Sequence, residues 1–398
     1  MSSNISSNRR LRCHRHRFFV AGLILAAVLH SPLFAADGYM AHYRAYMEAH
    51  SQNDIAGALV QGEAAWRAAE SELGDHATTA TLAYNYAKLA ALFADSSATG
   101  LVAFDRALTL SNGGIAELDT LQLQMGRDEL AIQLDREPEL AAASLAQALS
   151  DHATTERPAS DITAQAWATL ADYRLAQKSL REASQAAERA VAHAEVLQPV
   201  NTRVLAQALI TGAIANSRSR PSMRDPEVLT RAVQDLERAI ALFSPQASLD
   251  SFDRTLAKAL IWRESIVALN QTVRRQADRP GQRGKRKPEE IQTLYLSPLI
   301  ANYTRPNAED CPALADYMVT TRLRYPRSAA RKGVVGAVLF GFEIDGLRIS
   351  RAEVLAAPDG TGFGEATEQM LSEWKLKEPY PERCIFPFYM TYAKFTLR

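Results

Sequence analysis

Cysteine chemistry is the first thing the residue types offer. The 398-residue chain has three cysteines, Cys13, Cys311 and Cys384. Cys13 precedes an apolar run beginning at Phe18, so it is not placed as a lipid-attachment cysteine. It falls in a segment that reads as a removable leader. Cys311 and Cys384 then remain, and in an exported chain they meet an oxidising compartment. A disulfide between them is the expectation, closing a loop of about 70 residues; the other reading is two unpaired buried thiols. Two cysteines without neighbouring histidines make a poor zinc site. The histidines outside the leader, His42, His50, His76, His152 and His193, share no ligand spacing.

Other chemistry is sparse. There is no His-Glu-x-x-His, no Gly-x-Ser-x-Gly, no phosphate-binding loop and no Cys-x-x-Cys. Gly360, Gly362 and Gly364 are spaced by two but lack the dinucleotide fingerprint and read as a loop. Carboxylates are spread along helix faces as solubilising charge. The sequence argues against an enzyme and implies no cofactor and no metal. What remains is recognition of other proteins.

The elements that would position such recognition begin after residue 35. Arg9, Arg10, Arg12, Arg15 and Arg17 precede the 12-residue apolar run Phe18–Leu29, and Ser31–Ala35 reads as a cleavage region, the plan of a secretory signal peptide over residues 1–35. The alternative is an uncleaved inner-membrane anchor facing the periplasm, although the run is short of the about 20 residues a spanning helix needs. Cleavage after Ala35 removes five of 45 basic residues and none of 45 acidic ones, for a mature charge of −5. Balanced charge argues against nucleic acid as a partner of the whole chain.

Residues 37–275 read as helix after helix, rich in alanine and leucine. Similar triplets recur at Ala64-Ala65-Trp66, Arg106-Ala107-Leu108, Gln147-Ala148-Leu149, Arg189-Ala190-Val191 and Arg238-Ala239-Ile240. Their middle residues are 42, 41, 42 and 49 positions apart, the long step containing the insert Arg218–Pro226. Spacing of this kind marks a solenoid of helix pairs. The units resemble tetratricopeptide repeats, with Asp54–Leu73 as the second helix of one hairpin and Thr81–Ala94 as the first of the next. Ser160 or Asp161 is placed to cap another helix. Trp66, Trp167 and Trp262 are expected to fill helix–helix cores.

Residues 276–290 break the pattern with glycine, proline and charge, and read as a linker. Arg274, Arg275, Arg279, Arg283, Lys285, Arg286 and Lys287 make its surroundings basic. The run is either simply solvated or a contact for an anionic envelope surface.

Residues 291–398 read as a second domain. Ile291–Leu299 is a candidate strand and Ala313–Met318 a short helix. Tyr325-Pro326 and Ser328–Lys332 read as a helical turn ended by Gly333. From Gly336 the period becomes two: Val338, Phe340, Phe342 and Ile344 share one face, Ala337, Leu339, Gly341 and Glu343 the other. Asp345-Gly346 signals a hairpin to Leu347–Leu355. Phe363, Ala366, Met370 and Trp374 form one face of a helix spanning Phe363–Lys375, and Phe388–Leu397 is the closing strand.

Taken together, Tyr325, Pro326, Ala329, Gly333, Gly336, Val338, Phe342, Ile344, Asp345, Gly346, Phe363, Trp374, Pro379 and the closing Phe395-Thr396-Leu397 resemble the C-terminal domain of TonB-family periplasmic energy transducers. The expected fold is thus multidomain: an all-α tetratricopeptide-like solenoid, then a small TonB-like α+β domain with a three-stranded antiparallel sheet and a packed helix.

The resemblance implies a partner-binding last strand, expected at the sheet edge with Phe395, Ala393 and Leu397 buried and Tyr392, Lys394 and Thr396 facing outward. Phe388, Met390, Tyr392, Lys394 and Thr396 are therefore the candidate partner-binding residues. The partners implied are envelope proteins, including outer-membrane receptor peptides held by strand addition, with membrane contact confined to the N-terminal segment or the basic linker. The function expected is a periplasmic scaffold. The alternative is an energy transducer coupling a proton-driven motor to outer-membrane receptors.

Overall fold

The computed structural model describes residues 38–91, 97–155, 157–219, 225–244, 248–250, 252–277, 288–295, 311–312, 314–319, 323–345, 348–386 and 388–397. The expected leader, most of the basic linker, and Gly346 with Leu347 of the hairpin turn lie outside these residues. The chain divides into two compact units, Met1–Gly74 and Asp75–Arg398.

The first unit contributes a helix hairpin, α1 (Tyr39–Ser51) and α2 (Ile55–Leu73). Asp54 caps α2 by accepting from the Gly57 N–H at 3.0 Å. Trp66 is buried within α2, as expected of a core residue.

The second unit opens with further hairpins: α3 (Ala77–Ala91) with α4 (Ser97–Asn112), α5 (Thr120–Gln133) with α6 (Pro138–Thr154), α7 (Asp161–Ala176) with α8 (Leu180–Glu195), and α9 (Thr202–Arg218) with α10 (Pro226–Ala241). A longer helix, α11 (Arg254–Ala277), follows. The starts are written into the sequence. Asp119, Asn201 and Asp225 accept first-turn N–H groups. Ser160 forms a reciprocal capping box with Thr163, satisfying donors that a helix start otherwise leaves open.

The recurring triplets fall one each in α2, α4, α6, α8 and α10, the second helix of every pair. The middle residue is alanine in all five, and Ala65, Ala107, Ala148, Ala190 and Ala239 are all buried. A methyl side chain at a crossing point lets neighbouring backbones approach closely. In the second unit each odd-numbered helix also packs on the next odd one, α3 on α5, α5 on α7, α7 on α9 and α9 on α11. The hairpins therefore stack in layers.

The remainder is a small antiparallel sheet region: β1 (Pro288–Tyr295), α12 (Leu314–Tyr317), β2 (Met318–Val319), α13 (Arg327–Lys332), β3 (Gly336–Asp345), β4 (Arg348–Ala356), α14 (Phe363–Leu371), β5 (Lys375–Leu376), a 3-10 turn (Glu382–Cys384) and β6 (Tyr389–Leu397). Gly333 ends α13 with φ of 67°, the left-handed conformation glycine tolerates best.

Three expectations are corrected. The main sheet has four strands, ordered β1-β6-β3-β4, with β2 and β5 forming a separate pair. The last strand is consequently interior: β6 pairs antiparallel with β3 on one side and with β1 on the other, from Pro288 opposite Leu397 to Tyr295 opposite Met390. The first strand starts at Pro288 rather than Ile291. Its opening residues have linker-like composition, yet proline is tolerated at the start of an outer strand, where the ladder needs no donor from it.

Candidate partner-binding surfaces

The sheet is covered on both faces. On one, Val338, Phe340, Phe342 and Ile344 of β3 and Ala393 and Phe395 of β6 meet Phe363 and Met370 of α14, with Trp374 just beyond it. Phe363 stacks on Phe395 with ring centroids 4.1 Å apart. This is the face the sequence marked as core. Cys311 and Cys384 are joined in a disulfide beside it, with Cα atoms 5.7 Å apart.

The other face packs on the last helix of the array. Ala337 and Leu339 of β3 and Met390 and Tyr392 of β6, with Phe388 just before β6, meet Leu256, Ala257, Leu260 and Ile261 of α11, and Leu249 and Phe252 ahead of it. The stripe continues along α11 into polar residues with specific partners. Ser265 Oγ accepts from the Ala337 N–H at 3.0 Å; the pairing with β4 stops at Leu339, so the hydroxyl supplies what the ladder does not. Glu264, 6 % exposed at its side chain, receives Lys394 Nζ at 2.6 Å and also takes a contact from Arg263. At the rim, Arg351 of β4 donates to Asp250 at 2.6 Å and to Glu353 at 3.0 Å.

These contacts decide the candidate residues one by one. Phe388, Met390 and Tyr392 are buried against α11 rather than presented outward. Lys394 is engaged with Glu264. Thr396 is paired in the β6 ladder, opposite Glu289. The expected outward face of β6 is thus an internal interface, because α11 supplies the apolar cover that a solvated face would lack.

Sequence reasoning missed α11 as that cover, although a signal existed. Leu256, Leu260 and Glu264, with Ala257, Ile261 and Ser265, form one stripe at a spacing of four. Ala259, Trp262, Ile266, Leu269 and Val273 form another and pack into the helical core. A helix with two apolar stripes is buried on two sides.

Among the described residues β1 and β4 are the outer strands of the sheet, and an outer strand keeps N–H and C=O groups available for pairing. In the array, the odd-numbered helices share polar side chains across their contacts. Asp172 of α7 accepts from Gln207 Nε2 of α9 at 2.8 Å and from Thr211 Oγ1 of the same helix. Glu129 of α5 is buried, bonded to Gln133 at 3.0 Å and also to Gln165 and Thr169 of α7. Burial pushes its carboxyl up to about 7, against the opposing pull of those hydrogen bonds. At the α6–α8 contact the His152 and His193 rings are 6.2 Å apart, and His193 Nδ1 lies 2.9 Å from Thr163 Oγ1. Burial is the main cause lowering both imidazoles.

Among the described residues no group of three histidine, cysteine or carboxylate side chains is placed to hold a metal ion, and no helix is long and apolar enough to cross a membrane. No protein-family profile matches the chain, and a comparison with characterised proteins finds no significant match.

Proposed function

We propose that this protein is an exported periplasmic scaffold, in which a tetratricopeptide-like array holds one envelope protein and a TonB-like C-terminal sheet holds another by strand addition. One observation carries the reading. The sheet is seated on α11 through an apolar interface, the Ser265–Ala337 hydrogen bond and the Lys394–Glu264 pair. Two binding elements joined in this way keep a fixed separation, which suits an adaptor. An energy transducer of the kind the C-terminal residues resemble needs a motor-bound N-terminal anchor and a long extensible spacer. Here stacked helix hairpins stand in that place.

The N-terminus tests the choice. The protein is expressed in a host with an outer membrane and released by osmotic shock, and its first residue is sequenced. A start at Ala36 in the soluble periplasmic fraction is expected. Retention of Met1 in the inner-membrane fraction would overturn the scaffold in favour of the anchored transducer.

A further inference from the structure

We propose that β1 is a built-in occupant of a strand-addition edge: the chain's own segment Pro288–Tyr295 fills the slot on β6 that another protein's extended segment would take, and must leave before that segment can bind. The inference rests on the strand-addition part of the proposed function and adds its regulation.

The sheet order supplies the first support. Both cores draw on β3 and β6: Val338, Phe340, Ala393 and Phe395 on one face, Leu339, Met390 and Tyr392 on the other. Among the described residues β1 has β6 as its one sheet neighbour, so within them its place in the ladder is held from one side. The register gives the second. All eight residues of β1 pair antiparallel with β6 without a bulge, so the slot accepts an extended chain of that length and direction. The covalent path gives the third. β6 is anchored next to the Cys311–Cys384 bridge and by Phe388 and Tyr392 under α11. β1 starts eleven positions after the end of α11 at Ala277, a short tether.

A tethered strand acts at an effective concentration on the order of millimolar. A free segment of equal intrinsic affinity therefore cannot compete well until the tethered one is disabled. Main-chain pairing sets most of the affinity in such a mode, and side chains set the choice of partner.

The test uses the full chain and one probe, a labelled peptide with the β1 sequence Pro-Glu-Glu-Ile-Gln-Thr-Leu-Tyr. Thr293→Pro and Leu294→Pro are compared with the parent. Adjacent strand residues direct their N–H groups to opposite sides, so one substitution removes a ladder donor and the other removes an outward one. The donor-removing variant should bind the peptide about tenfold tighter or more than the parent does, as expected when the competent state is freed. The other variant should behave as the parent. Equal peptide binding by all three proteins would overturn the proposal.

Hydrogen exchange on the parent keeps the proposal testable even if both variants misfold. Amides of residues 289–295 should exchange faster than those of β3 under native conditions, reporting opening of β1 alone. Protection of β1 equal to that of β3 would also overturn it. If the freed edge binds the peptide but no envelope protein, β1 stands as the occupant and the partner reading fails instead.

Discussion

Lys394 of β6 reaches Glu264 of α11 with Nζ 2.6 Å from Oε2, and the Glu264 side chain is only 6 % exposed. A carboxylate so covered is stable in its charged form only with partners, and Arg263 supplies the second. Lys394→Ala should cost about 1–3 kcal/mol, read as a lower midpoint in urea unfolding at pH 7. In a Glu264→Gln background the same substitution should cost clearly less. Additive losses would mean that the pair contributes nothing of its own.

Gly341 of β3 marks how closely the array approaches the sheet. A Cβ there would sit 2.4 Å from Leu249 Cδ2 and 3.2 Å from Leu355 Cδ1. Gly341→Ala should therefore destabilise the second unit by about 1–3 kcal/mol through overpacking. Leu249→Ala in the same chain should recover part of that loss, since it removes the nearest atom. A thermal scan of the single and double variants checks this; no recovery would place the strain elsewhere.

The helical half was legible because its signal is local and periodic. A buried alanine recurring at steps of 41 to 49 residues reports a helix crossing wherever it occurs, and Ala65, Ala107, Ala148, Ala190 and Ala239 all fulfil that role. The strand period of β3 was legible for the same reason. The position of β6 was not, because a strand's neighbours are chosen by long-range pairing that its own residues do not encode. Tyr392 and Lys394 would suit a half-exposed strand. They are covered because Leu260 and Glu264 lie opposite, more than a hundred residues earlier in the chain. The start of β1 was obscured by composition, since Pro288, Glu289 and Glu290 continue a charged run. Of the candidate site, the disulfide partners were readable from cysteine usage, whereas the expected place of β6 at the sheet edge was not.

Glu129 gives a pH dependence with a definite sign. Its carboxyl is raised from 4.5 to about 7 by burial. Below the unfolded value both states hold the proton and the contribution is complete. As pH rises above 4.5 the unfolded chain releases its proton first, so stability declines and levels off above about 7. Glu129→Gln keeps hydrogen-bonding capacity toward Gln133, Gln165 and Thr169 without the charge. It should be more stable than the parent at pH 8, on the order of 2 kcal/mol, and nearly equal to it at pH 4. A parent-like stability at pH 8 would count against the buried carboxyl.

The Cys311–Cys384 bridge spans 73 positions. Closing a loop of that length restricts the unfolded chain by about 4 kcal/mol on the chain-entropy estimate. Denatured but unreduced mature protein should titrate with no free thiol. The double Cys→Ala variant should unfold at clearly lower denaturant. Two titratable thiols would show that the bridge is not formed.

The seating of the sheet on α11 changes what proteolysis should yield. The basic stretch between Ala277 and Pro288 offers trypsin the sites Arg283, Lys285 and Arg286, while Arg279 and Lys287 are each followed by proline and resist cleavage. With a flexible linker alone between the parts, a cut there would release two independent pieces. The interface of Leu256, Leu260 and Ile261 with Leu339, Met390 and Tyr392, reinforced by Ser265 and Glu264, instead holds the fragments together. Limited digestion should give two bands on a denaturing gel and a single peak at the parental volume in native size exclusion. The Lys394→Ala protein, nicked in the same way, should separate at lower urea than the nicked parent. Separation of the parental fragments in plain buffer would mean that the contacts with α11 are too weak to fix the sheet on the array, and would remove the ground for a scaffold with a fixed spacing.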